Sequence, residues 1–287
     1  MASKYLVLPH LNVQHANALQ AWWLVAPPSP MALHGFSRAL GLRVGVNFGG
    51  MAIIHHGVQW LGAEKRLSRF FKKESGGDDT KSWDVRFWNE TFTPQQVQGA
   101  TYINQDDHIA GSFSKGLQPT ARCHVALSLV LRVDATVAID LDAVEDFLWS
   151  GRIAGGAITD YGIPRVVESA DKARARIHGG FFVADRADLI QDTMQRKGFD
   201  GTEALLDILV DRLAEPKAPH WLSANVVGYC ALESPKPRLG VRGNLSHAYA
   251  EAIVGLIQYQ SVRQQESMPF WTPRYRVDDG VFLLSSL

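Results

Sequence analysis

Cysteine is nearly absent from this sequence: there are two in 287 residues, Cys123 and Cys230, and neither sits in a C-x-x-C pair. That excludes a disulfide scaffold and a thiolate zinc site, and it sets a reducing, cytoplasmic compartment as the expectation. Charge of one sign is absent too, since Lys+Arg and Asp+Glu stand at 29 each. A polyelectrolyte binder is thereby excluded, whereas a local basic face on an otherwise neutral protein is not. No apolar run reaches the ~18 residues of a membrane span. The first residues, Met1 to Leu8, lack the flanks of a signal peptide. No Walker loop, nucleophile elbow or spaced zinc-ligand pattern occurs, so no cofactor and no metal are expected. What remains is 46% hydrophobic residues over 287, enough for a substantial core in one elaborated body or two small domains.

Periodicity organises that core. Tyr5 to Val13 is β-branched and apolar and reads as a strand. Ser29 followed by Pro30 is a helix start, because proline at the first helical position loses no hydrogen bond. The spacing of Met31, Leu33, Phe36 and Leu40 then predicts a helix over 30–42, left through Gly41 to Val46. Gly49 to Trp60 reads as a strand. Residues 61–121 turn polar and charged with isolated aromatics, the texture of an insertion. Arg122 to Val133 returns to strand. Leu141 to Trp149 reads as a helix capped by Asp140 and ended by Gly151, and Gly155-Gly156 as a tight turn. Gly179 to Ala184 predicts a strand, and Arg186 to Arg196 and Thr202 to Leu213 two helices. Trp221 to Leu232 predicts a strand, and Gly280 to Leu284 a last one. Ala248, Ala252, Ile253, Leu256 and Ile257 fit one helical face, predicting a helix over 246–260.

Strand–helix–strand twice over predicts an α+β fold of the ferredoxin-like, RNA-recognition-motif type. Residues 1–60 and 113–287 would form that fold and 61–112 an inserted arm or small helical domain.

Several residue groups suit nucleic acid. Lys65, Arg66, Arg69, Lys72 and Lys73 place five cations within nine residues, beside Phe70 and Phe71. Cations neutralise phosphates and aromatics stack on bases; a solvated helix face is the simpler alternative. Gln14, His15 and Asn17 follow the first strand, where amides can reach base edges or sugar hydroxyls, or merely cap a loop. Arg152 beside Gly155 and Gly156 pairs a cation with a turn that lets backbone N–H groups approach phosphate. Arg38 on the first helix, and Arg174 and Arg176 beyond Lys172, add further cations. Alternation would put Lys172, Arg174 and Arg176 on one side of a strand, whereas a helix would separate Arg174 from the other two. Within the insertion, Lys81, Arg86, Phe87 and Trp88 are candidates for duplex DNA, since apolar side chains can wedge between base steps. A small satellite core accounts for the same aromatics.

Catalysis is less well provided for. His10, His15, His55, His56, His108 and His124 offer general bases, but the chain order does not cluster them. His55 and His56 are strand neighbours and face opposite ways, so sheet-face or core histidines are expected. Asp106-Asp107-His108 lacks the spaced partners of a metal site.

The block Leu8 to Ala18, Pro28-Ser29-Pro30, Gly35-Phe36 with Ala39-Leu40, and Arg43 to Gly45 resembles the handle-binding backbone subunit (Cas-five family, Csy-type) of type I-F CRISPR Cascade. Arg152 to Ile158, Gly180 to Arg186, Gly228 to Leu232 and Trp271 to Tyr275 continue the likeness in order, leaving out about 61–112. The resemblance implies a modified RNA-recognition fold with an arm and no catalysis. It implies that the crRNA 5′ handle and a filament-forming Cascade backbone subunit are partners. The insertion is longer than the family's arm and the stretch before Trp221 shorter. That fits the minimal type I-F variant, which lacks the large subunit and reads target DNA near the PAM through the handle-binding subunit. Two other classes stay open on the residues alone: a metal-independent RNA endonuclease on the same sheet, and a protein-interaction scaffold.

Overall fold

Alternating burial sets the first strand. In β1 (Ser3–Asn17) Leu6, Leu8, Leu11, Val13 and Ala16 turn to one face and are fully buried. The computed structural model describes residues 3–21, 24–61, 121–211, 221–241, 243, 245–276 and 278–286. The basic run 65–73 and the DNA candidates Lys81, Arg86, Phe87 and Trp88 therefore lie outside the described residues, as does nearly all of the predicted arm.

After β1 come a small hairpin, β2 (Leu19–Ala21) and β3 (Leu24–Val25), and then α1 (Pro30–Val44). The Ala32 N–H donates to Ser29 Oγ as predicted, and Gly45 closes the helix in the left-handed region at φ 69°. The helix runs through Gly41 and leaves at Gly45, later than the sequence suggested. β4 (Gly50–Leu61), β5 (Arg122–Asp134), α2 (Leu141–Ser150), β6 (Arg152–Ile153) and β7 (Gly156–Asp160) complete the first half. Asp140 Oδ1 caps α2 by accepting from the Asp142 and Ala143 N–H groups. Trp60 pairs with Cys123 and Leu61 with Arg122, so the segment between β4 and β5 starts and ends at directly opposed positions of neighbouring strands.

The second half contains β8 (Arg165–Val167), α3 (Ala170–Ala175), β9 (Phe181–Asp185), α4 (Ala187–Lys197), α5 (Gly201–Asp211), β10 (Leu222–Ala231), β11 (Ala250–Ser261), β12 (Thr272–Arg276) and β13 (Val281–Ser285). One large antiparallel sheet runs β12-β13-β10-β11-β9-β4-β5-β1-β7-β6, with β8 on β1. Two stretches of it repeat a connection: β1-α1-β4-β5 lie in the order β4-β5-β1, and β9-α4-α5-β10-β11 in the order β10-β11-β9. The β9–β4 ladder joins them. The fold is thus mixed α and β around a large antiparallel sheet, broader than one four-stranded module.

One predicted element changes identity, and one that the sequence left open is decided. Residues 250–261 form the strand β11, not a helix. Its run of Ala252, Ile253, Val254, Leu256 and Ile257 satisfies helical spacing, but it is paired on both edges, with β10 and β9. It also packs on both faces, Ile253 and Ile257 toward the main core and Val254 and Leu256 toward α4 and α5, so periodicity cannot tell it from a helix. The 170–176 segment is helical: α3 holds Lys172 and Arg174, and Arg176 is its C-cap.

The sheet's two faces are treated differently. On the first, Leu33, Phe36 and Leu40 of α1 and Val144 and Leu148 of α2 cover Leu8, Leu11, Ile53, Leu127, Leu129 and Leu131. Each such side chain contributes about 1.5–3 kcal/mol of burial. On the second, Ala173 of α3 and residues Val262 and Met268 cover Val7, Ala52, Ile54, Val130 and Phe182. Among the described residues that second cover stops partway along the strands, and the end it leaves open is where polar side chains collect.

Candidate nucleic-acid interface

Register decides what the uncovered end displays. Asn17 pairs with Arg122, Gln14 with Ala157, and Arg152 with Ala157 in turn. Since Ala16 pairs with buried Cys123 and Val13 with Ile158 on the helix-covered face, the alternating residues turn to the other side. Asn12, Gln14 and Asn17 of β1, Arg122 and His124 of β5, Gln59 of β4 and Arg152 of β6 thus share one open surface. Gln14, Asn17, Gln59 and Arg152 are exposed, and the other three half-buried.

The β6–β7 hairpin is what brings Arg152 there. Its turn residues Ala154 and Gly155 have φ 48° and 75°, the paired left-handed conformations of a type I′ hairpin, which glycine tolerates best. The Asn17 N–H donates to Ala154 O at 2.8 Å, fixing the turn to the end of β1. Gly156 has a spatial role: a Cβ there would lie 2.6 Å from Ala16 N and from Gln14 O. Arg152 Nη1 donates to Gly155 O at 3.3 Å, and Arg122 Nη1 to His15 O at 2.9 Å. Each guanidinium is anchored by one nitrogen and keeps further N–H donors on the open face.

β-Bulges set the histidines. β1 shifts register between Leu8 and Leu11 and again between Val13 and Ala16, and β4 shifts between His55 and Gly57. An extra residue in one strand re-aims its side chain. Here the bulges stack His10 on His56 with ring centroids 4.4 Å apart, and set His15 edge-on to His124 at 4.9 Å. Ser128, fully buried on β5 between the first pair, accepts from the His10 N–H at 2.9 Å, and its Oγ lies 2.7 Å from His56 Nε2. Burial, and then the His10 ring beside it, push the His56 pKa down to about 4, so this imidazole is neutral at physiological pH. His55 faces the opposite side, against Tyr259, as strand alternation requires.

The sequence-predicted residues therefore divide. Gln14, Asn17, Arg152, Gly155 and Gly156 converge, but Gln14 and Asn17 belong to β1 itself rather than to a loop after it. Arg38 bonds Asn47 Oδ1 at 2.9 Å on α1, in the layer behind the sheet. Arg174 donates to the carbonyls of Gln265 and Glu266 at 2.6 and 3.3 Å, tying down the segment that covers the other end of the open face. Arg176 is exposed at the end of α3, and Lys172 pairs with Glu168 at 3.0 Å. Sequence reasoning missed Arg122 and took His124 only as a candidate general base; the β1–β5 register places both on this surface. It also missed the histidine pairing, which bulges create and no spacing rule announces.

A family model described as CRISPR-associated protein (Cas_Csy2) matches residues 111–284, more than half of the chain. The chain belongs to this family. It is accordingly a CRISPR Cascade subunit. The match begins before β5 and runs into β13, taking in the Arg152 to Ile158, Gly180 to Arg186, Gly228 to Leu232 and Trp271 to Tyr275 motifs. The motifs between Leu8 and Gly45 precede it. A comparison with curated proteins gives no match. Among the described residues no helix is long and apolar enough to cross a membrane, and no group of three or more metal-ligating side chains occurs.

Proposed function

We propose that this Cascade subunit is a non-catalytic crRNA-binding protein that holds the 5′ handle of the guide on the uncovered end of its sheet. One observation carries the reading: Arg122, Arg152, Gln14, Asn17 and His124 come from three strands and meet on one surface that neither α1, α2 nor α3 covers. Guanidinium groups hold phosphates, while amides and imidazoles reach sugar hydroxyls and base edges of unpaired nucleotides. The order β7-β1-β5-β4 with α1 and α2 behind it supports an RNA-recognition-type module, which binds RNA on its open face. Residues 1–60 and 113–287 form that module in this reading, and 61–112 the arm.

Filter-binding titration tests it, using the subunit alone and with its neighbouring backbone subunit. Guide RNA with and without its 5′ tag is titrated at two salt concentrations in EDTA. Tag-dependent, salt-sensitive retention of intact RNA is expected; equal binding of both RNAs would leave a scaffold role instead.

The runner-up is a metal-independent RNA endonuclease, favoured by a neutral His56 whose Nε2 lies 2.7 Å from Ser128 Oγ with His10 stacked beside it. A neutral imidazole can take a proton from a ribose 2′-hydroxyl. Against it, Ser128 is fully buried and already accepts the His10 N–H. RNA cleaved in EDTA by the wild type and left intact by His56→Ala would establish this alternative.

For the insertion we carry the reading to target DNA: Lys81, Arg86, Phe87 and Trp88 contact the duplex beside the PAM, in place of a large subunit. Replacing Phe87 and Trp88 by Ala is expected to weaken duplex recognition by the assembled complex and spare guide binding. Loss of guide binding instead would make the two aromatics structural.

A further inference from the structure

Behind the open face, at the same strand ends, the sheet holds a cleft of about 380 Å³. It lies in the size range of small-ligand sites, ~300–1,000 Å³. Trp60, Phe181, Trp221 and Tyr259 wall it, with His55 and the turn Val25 to Pro27. Two features set it apart from an ordinary apolar hollow. Trp221 is 67% exposed and holds φ 64°, a left-handed conformation unfavourable for a bulky L-residue and concentrated at ligand sites. Its ring lies 5.9 Å from that of Phe181, tilted by 31°. The second is His55. It is only 6% exposed, yet among the described residues neither ring nitrogen has a hydrogen-bond partner. An unsatisfied buried donor and acceptor is unfavourable and calls for a partner.

We infer that this cleft receives one unpaired nucleobase of the bound RNA, stacked on Trp221 and Phe181 with its polar edge toward His55. A flat heteroaromatic ring carrying both a donor and an acceptor answers both features at once. An aliphatic side chain would leave His55 unsatisfied. Burial, and then His56 beside it, hold His55 near pKa 4, so its imidazole is neutral and one nitrogen is a donor and the other an acceptor, either of which a base edge can meet. Geometry connects the cleft to the RNA path: Gln59 turns to the open face and the next residue, Trp60, to the cleft. A strand crossing the sheet end therefore passes from one to the other. The inference rests on the RNA-binding reading and adds to it a base-sized pocket off the sheet face.

The test walks 2-aminopurine, one position at a time, through the tagged guide RNA bound to the full-length protein. One position is expected to lose fluorescence several-fold on binding, and Trp221→Ala to restore it while weakening affinity roughly 5- to 100-fold, the range of one base stacked on an aromatic ring. Phe181→Leu, milder toward folding, should restore part of the signal, and the wild-type walk needs no variant at all. If RNA binds with tag dependence but no position is quenched, the pocket is overturned and the handle-binding reading stands. If no RNA is retained, both fall together.

Discussion

Gly156→Ala is expected to abolish tag-dependent RNA binding and to destabilise the fold by about 3 kcal/mol, whereas Gly155→Ala one residue earlier is expected to cost only about 1 kcal/mol. The two glycines exist for different reasons. Gly155 sits at φ 75°, and none of the described residues lies within 4 Å of the place an added methyl group would take; alanine there meets the strain of the left-handed region. Gly156 has no such dihedral, but its Cβ would lie within 2.7 Å of Ala16 N, Gln14 O and Ala16 Cα. Those are backbone atoms of a central strand and cannot move aside cheaply. The β1–β7 ladder must open, and with it go the Asn17–Ala154 hydrogen bond and the position of Arg152. Urea unfolding and the RNA titration read the two effects separately. Equal behaviour of the two variants would mean that the hairpin does not position the site.

Replacing Arg122 and Arg152 together by Ala is expected to lower RNA affinity roughly 30- to 100-fold near 0.1 M salt, taking about 10-fold or less for each charge-assisted contact. The sharper readout is the salt dependence. Each phosphate contact on a single strand contributes a log–log slope of about −0.7, so the double variant should be shallower by about 1.4. Both residues are anchored by one Nη1 to a backbone carbonyl, and that pre-orders the rest of the guanidinium without occupying it. Arg38 supplies the counter-test, because it lies in the helix layer and bonds Asn47. If Arg38→Ala flattens the slope as much as the double variant, the RNA lies over the helices and the open-face assignment is wrong.

How much of this was legible beforehand varies with the length of the interaction involved. Local rules carried the helices: Ser29 with Pro30, and Asp140 with Gly151, mark ends through hydrogen bonds made within four residues, and such bonds are written in adjacent sequence. The strands β1, β4, β5 and β10 were legible as apolar stretches. β11 was not, because a strand that packs apolar residues on both faces loses the alternation that would distinguish it. The candidate site was half legible. Gln14, Asn17, Arg152, Gly155 and Gly156 have telling chemistry and were found, but Arg38 and Arg174 have the same chemistry and the fold takes them elsewhere.

The sequence by itself determined the composition class, most of the strands and helices, the caps, and through ordered motifs the Cascade family. Only the tertiary structure decided that Arg122 and His124 stand beside Gln14 and Asn17, more than a hundred residues away in the chain. It also decided that His10 and His56 stack over Ser128 and that His55 and Trp221 line one cleft. The physical reason is register. A strand's side chains change face with every residue, so a single bulged residue re-aims everything beyond it. Three bulges in β1 and β4 fix this surface through pairings that no local stretch of sequence contains.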